Sequence, residues 1–262
     1  MADIYWKIAA ATSTYATATN WVGDTAPVAN DSILLQGTTA IDGSDQSAVE
    51  LDDITVLPTY SGGIATADTY LQLDQGAANK MLFAGTGASY IDLGTSGSAL
   101  VQVDATGTPT SGQSGLYLKN ATNPITLVSV KSGTVRLVNC NVTTLQVSAG
   151  ATVYIDAAST VVTVNCNGTL TSDSAALTTV NVLNGTATIN GSDAYAGNVY
   201  GGSLISNTSG TATVVTYGGT LDLSKSGVSR SVTLTYNGGT VEGIQNVTLT
   251  DTINAPATLS PA

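Results

Sequence analysis

Gly168-Thr169-Leu170, Gly185-Thr186-Ala187, Gly202-Ser203-Leu204 and Gly219-Thr220-Leu221 follow one another at a constant interval of 17 residues, and that interval decides the fold. Gly133-Thr134-Val135 and Ala151-Thr152-Val153 precede the series and Gly239-Thr240-Val241 follows it. Counted from one hydroxyl residue to the next, the steps are 18, 17, 17, 17, 17 and 20. Two positions after the motif, Leu137, Ile155, Ile189 and Leu223 hold the same phase, the period-two alternation of a strand with one face inward. A second strand-like run lies upstream of several motifs, at 126–130, 144–147, 162–164, 180–182 and 232–235. Each repeat therefore reads as two short strands around a glycine-centred corner. A unit this small cannot bury its own apolar face, but coils stacked on one another can.

The expected fold is all-β: a parallel β-solenoid, or β-helix, with coils of about 17 residues. Glycine at the corner suits a backbone that turns with positive φ, and stacked Thr hydroxyls are expected to form a ladder. An antiparallel sandwich or barrel of many short strands is the competing architecture, but it would space its strands less regularly. Disorder is disfavoured by an apolar content of 42% with regular alternation.

Outside the repeat the chain changes style. Residues 1–75 form a non-repeating, β-rich region expected to cap or dock. Residues 76–123 read as transitional coils, 124–250 as the solenoid repeats and 251–262 as a proline-containing tail that either caps the far end or extends as an arm. The first region holds both tryptophans and a dense set of acidic residues: Asp24, Asp31, Asp42, Asp45, Glu50, Asp52 and Asp53. Ile33-Leu34-Leu35 and Ile54-Thr55-Val56-Leu57 read as buried strands. Residues 47–53 read as a weak helical turn at most, and the Ser- and Thr-rich stretch 8–19 holds no helix.

Composition narrows the function. Eighteen acidic against seven basic residues give a net charge of -11, which repels phosphate backbones and anionic headgroups, so neither nucleic acid nor membrane is an expected partner. Histidine is absent, which removes Ser-His-Asp and Cys-His nucleophile systems and histidine-ligated metals. Cys140 and Cys166 are too few for a stapled scaffold and too far apart for a C-x-x-C site, and read as half-buried thiols. No apolar run has the length of a membrane span, and the N-terminus lacks the basic start and apolar stretch of a secretory signal, so the chain is expected to remain in the cytoplasm where it is made.

Asn20-Trp21-Val22-Gly23-Asp24, followed by Pro27 and Asp31, resembles the opening motif of β-solenoid passengers in autotransporter-type bacterial surface proteins. It is also similar to the start of β-solenoid proteins encoded with phage structural genes. The chain shows neither the signal peptide nor the membrane barrel of secreted passengers, which leaves the phage kinship. That resemblance implies a non-enzymatic virion protein on the capsid exterior, a decoration or cement protein that bridges subunits of the major capsid protein. It also implies a homotrimer.

Candidate sites follow. Trp6, Trp21, Asp24 and Asp31 are candidates for docking a partner, with capping of the solenoid end as the alternative role of the tryptophans. Tyr217 and Tyr236 each stand just before a glycine pair and form a candidate glycan stripe, the feature expected of a receptor- or glycan-binding module of a tail fibre or adhesin. Asp42-Gly43-Ser44-Asp45 and Asp52-Asp53 carry the oxygen ligands a calcium ion takes, but their spacing matches no EF-hand loop or Asp-rich nonapeptide array, so neither metal nor cofactor is expected. Carboxylate pairs are the machinery of glycoside hydrolysis. Asp156, Asp173, Asp193, Asp222, Glu242 and Asp251 read as lying at different phases of the repeat, so no enzyme is expected.

Overall fold

In the computed structural model the described residues are 2–76, 78–94, 98–105, 115–191, 194–225, 230–253 and 259–260. Strand makes up 57% and helix 2%, and the strands stack in parallel as a β-solenoid of about ten turns with a mean spacing of about 19 residues. The chain divides into two compact units, Met1–Val142 and Thr143–Ala262.

The second unit contains the regular coils. Thr152, Thr169, Thr186, Ser203, Thr220 and Thr240 are successive register partners on neighbouring parallel strands, so the 17-residue motif is one rung of the stack. One position on, Val153, Leu170, Ala187, Leu204, Leu221 and Val241 form a column of fully buried side chains. The second strands of the coils, Thr160–Cys166, Ala176–Val182, Tyr195–Val199, Thr211–Thr216 and Ser231–Tyr236, pair in the same way. Beyond them Leu259 pairs with Val241, so the tail adds a further rung. Its residues 254–258 and 261–262 lie outside the described set.

Side-chain ladders reinforce this unit, and they run through asparagine. Asn198 donates to Asn181 and Asn181 to Asn165, each at 2.8 Å. On another face Asn207 donates to Asn190 at 3.0 Å and Asn190 to Asp173 at 2.9 Å. An internal staple adds to them: Arg230, 4% exposed, donates to the carbonyl oxygens of Ser206 at 2.6 Å, Lys225 at 3.2 Å and Leu223. At the corners Gly202 and Gly219 both have φ +67°. A Cβ on Gly219 would stand 2.5 Å from the Gly202 carbonyl oxygen, so this corner admits only glycine without a backbone shift.

The first unit is built on the same principle with less regular coils. Ile4, Ile33, Ile54, Met81, Val101 and Val128 are successive parallel register partners, at steps of 29, 21, 27, 20 and 27 residues. Strand pairing runs unbroken across residue 75, where the composition changes. Ser32–Leu35 and Ile54–Val56 are strands, as their apolar runs imply. Residues 47–53 differ from expectation: Asp45–Leu51 is a strand paired with Leu71–Gln75, with a register shift between Gln46 and Glu50. Pairing to a neighbouring coil overrides the weak local helical preference.

Candidate functional site

The segment of the opening motif is built as a cap. Strand Asp3–Tyr5 pairs on one edge with Ser32–Leu35. Its other edge is covered by a chain returning antiparallel, with Trp6 bridged to Trp21, the Val22 N–H donating to the Tyr5 carbonyl at 2.8 Å and the Lys7 N–H to the Asn20 carbonyl at 2.9 Å. An otherwise open strand edge is thereby closed. Inside the cap Trp21 packs edge-on against both Trp6 and Tyr15, ring centroids 5.0 Å apart in each case, and its Nε1 donates to the Tyr15 carbonyl at 2.8 Å. Asn20, also buried, donates through Nδ2 to Thr12 Oγ1 and the Thr14 carbonyl and accepts from the Thr12 N–H.

Of the four docking candidates, Trp6 and Trp21 are 0% exposed, so neither ring is available to a partner surface. The physical reason is that each ring has more apolar area to lose from water inside the cap than at its rim. Asp31 is 7% exposed and accepts the N–H groups of Ala2 and Val28, both at 3.1 Å, which pins the turn before Ser32. Asp24 alone faces solvent, paired with Lys7 at 2.7 Å.

The tyrosine stripe needs correction. Tyr236 is the register partner of Thr216, not of Tyr217, because Asn237 intervenes before its glycine pair. A shift of one residue turns a side chain to the opposite face of a strand. Tyr236 is thus 2% exposed and donates to the Gly239 carbonyl at 2.6 Å, whereas Tyr217 is 52% exposed. The partner of Tyr217 is Tyr200, one 17-residue step earlier and 49% exposed, with the rings 4.9 Å apart and 2° from parallel. The constant step pointed to this pair; the adjacency of both tyrosines to glycine obscured it. A second tyrosine column stands in the first unit. Tyr90 and Tyr117 are register partners stacked at 4.3 Å, and Tyr70 meets Tyr90 edge-on at 5.7 Å. Irregular coil lengths hide that column in the sequence.

The acidic turns are tied to the chain's own donors. Asp42 accepts the Tyr15 N–H at 3.2 Å. The Ser47 hydroxyl and N–H, at 2.6 and 3.0 Å, hold the Asp45 carboxyl below the usual carboxylate range. Asp53 accepts the Lys80 N–H. Among the described residues no three metal-ligating side chains come together. Asp222 and Glu242, expected at different phases, are register partners on adjacent strands, since each lies two positions after the Thr of its motif. Asp222 accepts the Ser224 N–H at 2.8 Å. Asp193 lies outside the described residues, as does the side chain of Asp251.

No helix among the described residues is long and apolar enough to cross a membrane. Fold and cap together define a capped parallel β-solenoid. Comparison with protein-family models, with curated proteins and with solved structures found no match.

Proposed function

We propose that this chain is a non-enzymatic structural protein of a phage virion: a capsid decoration protein, made in the host cytoplasm, that stabilises the head by bridging subunits of the major capsid protein. One observation carries the reading. The Asn20-Trp21…Pro27…Asp31 segment, through which the chain resembles phage-encoded β-solenoid proteins, is spent on closing the strand edge at the start of a parallel stack. A stack closed there does not polymerise through that edge, which suits a part added singly to a surface. Bridging stabilises a shell because a ligand that binds only the assembled state shifts the equilibrium toward it.

Co-sedimentation of the purified full chain with mature capsids tests this. The expected result is saturable binding, with the loaded capsids resisting heat longer than bare ones; capsids that neither bind the protein nor gain resistance overturn it. The proposed trimer is checked by sedimentation of the free protein.

The exposed parallel pair Tyr200–Tyr217 favours a second reading, a receptor- or glycan-binding module of a tail fibre or adhesin. Tyr200→Ala and Tyr217→Ala then abolish binding to host-cell glycans while melting is unchanged, and retention of binding by both variants removes this reading.

A further inference from the structure

Two neighbouring hollows of about 240 and 350 Å³ in the first unit share Gly43 and Thr69 as lining and make a two-lobed groove, the larger lobe of a size roughly typical of ligand clefts. One wall is the ring of Tyr70. That ring is braced edge-on by Tyr90, which is itself stacked on Tyr117. The Lys119 ammonium lies 5.4 Å from the Tyr70 ring centroid and is held in turn by Asp92 at 3.5 Å. The aromatic is therefore positioned before any ligand arrives, which lowers the entropy cost of binding. Around it stand acceptors and donors together: the carboxylates of Asp45 and Asp68, the amide of Gln72 and the ammonium of Lys119. Farther along, the groove passes Ala65, a non-glycine residue at φ +58°, a strained conformation of the kind that collects at ligand sites.

We propose that this groove binds a neutral hexopyranose chain. Its lining suits that chemistry: an aromatic ring to meet the sugar's C–H groups, carboxylates to accept from hydroxyl groups, and an amide and an ammonium to donate to them. Carboxylates outnumber the ammonium, which disfavours uronic acids, sialic acids and phosphate backbones. A divalent cation would leave the aromatic wall unused, and among the described residues no three metal-ligating side chains come together. The site shares no residue with the Tyr200–Tyr217 pair, and its test requires no capsid.

Titration calorimetry on the full chain, with gluco-, manno- and galacto-configured neutral hexaoses and an oligogalacturonate as probes, tests the proposal. At least one neutral hexaose binds and the oligogalacturonate does not. Tyr70→Ala and Asp68→Asn each weaken binding about tenfold or more, a loss of about 1.4 kcal/mol, while Tyr217→Ala leaves it unchanged. Asp68 is exposed, so Asp68→Asn tests the groove even if Tyr70→Ala disturbs folding. Failure of every neutral hexaose to bind, wild-type affinity in the Asp68→Asn variant, or a loss that follows Tyr217→Ala overturns it.

Discussion

Trp21 shows how one side chain in the cap does two jobs. Its ring fills the space between Trp6 and Tyr15 while its N–H satisfies a buried carbonyl. Trp21→Ala removes both and leaves a cavity against a chain return that holds the first strand's edge; large-to-small core changes of this kind cost about 3–5 kcal/mol. Urea denaturation should show that loss, accompanied by self-association as the strand edge is uncovered. The cysteines allow a simpler check. Both are fully buried, and burial pushes the Cys166 thiol up to about 11, only partly opposed by a backbone hydrogen bond at Gly168. Because the thiolate is the reactive form, Ellman's reagent at neutral pH should titrate neither thiol in the native protein and both after denaturation.

At the scale of elements, stability rests on repetition across rungs, through ladders and corner glycines. Asn181 accepts from Asn198 and donates to Asn165, so Asn181→Ala breaks two hydrogen bonds and should cost about 1–2 kcal/mol. The loss would be read as a lower urea midpoint with an unchanged slope. Gly202→Ala should cost about 2 kcal/mol or more, since its φ is +67° and a Cβ would collide with the carbonyl of Gly185 one rung away. These elements were legible to different degrees. The strand-turn-strand coil of residues 152–241 follows from the spacing of Gly and Thr, because coils of equal or nearly equal length bring the same motif position onto its register partner and so leave a periodic trace in the sequence. The asparagine ladders also lay in the sequence, as Asp173, Asn190 and Asn207 repeat at the same 17-residue step, but asparagine at a corner also suits an ordinary turn. The glycan stripe was misread for a local reason: one inserted residue before Gly238 turns Tyr236 inward, and only the pairing of Thr216 with Tyr236 exposes the shift.

For the whole molecule, the first unit shows where sequence reading gives out. Its coils vary from 20 to 29 residues because loops of different length leave the stack between strands, and no fixed interval links Ile4, Ile33, Ile54 and Met81. The strands at Ile33 and Ile54 are legible in their apolar runs, those at Ile4 and Met81 are not, and the stacking and the groove beside Tyr70 are hidden with them. Both units bury tyrosines that stay protonated on folding, and this gives the protein a shared alkaline limit. Burial raises Tyr15, Tyr60 and Tyr195 above the ordinary value near 10, Tyr195 to about 12. The folded state thus holds these protons more tightly than the unfolded chain. Their contribution is complete below about pH 10 and is lost as pH climbs through the folded values. Thermal melting should begin to fall near pH 9, the ordinary value of the buried Cys166 thiol, and fall steeply from about pH 10 upward, which melting curves from about pH 8 to 11 will check. The central claim remains that this capped solenoid decorates a phage head. Cryo-electron microscopy of mature capsids incubated with the full chain tests it most directly: the account predicts discrete, threefold-arranged density bridging neighbouring capsid subunits, and capsids bare of added density, or density confined to a tail tip or fibre, would contradict it.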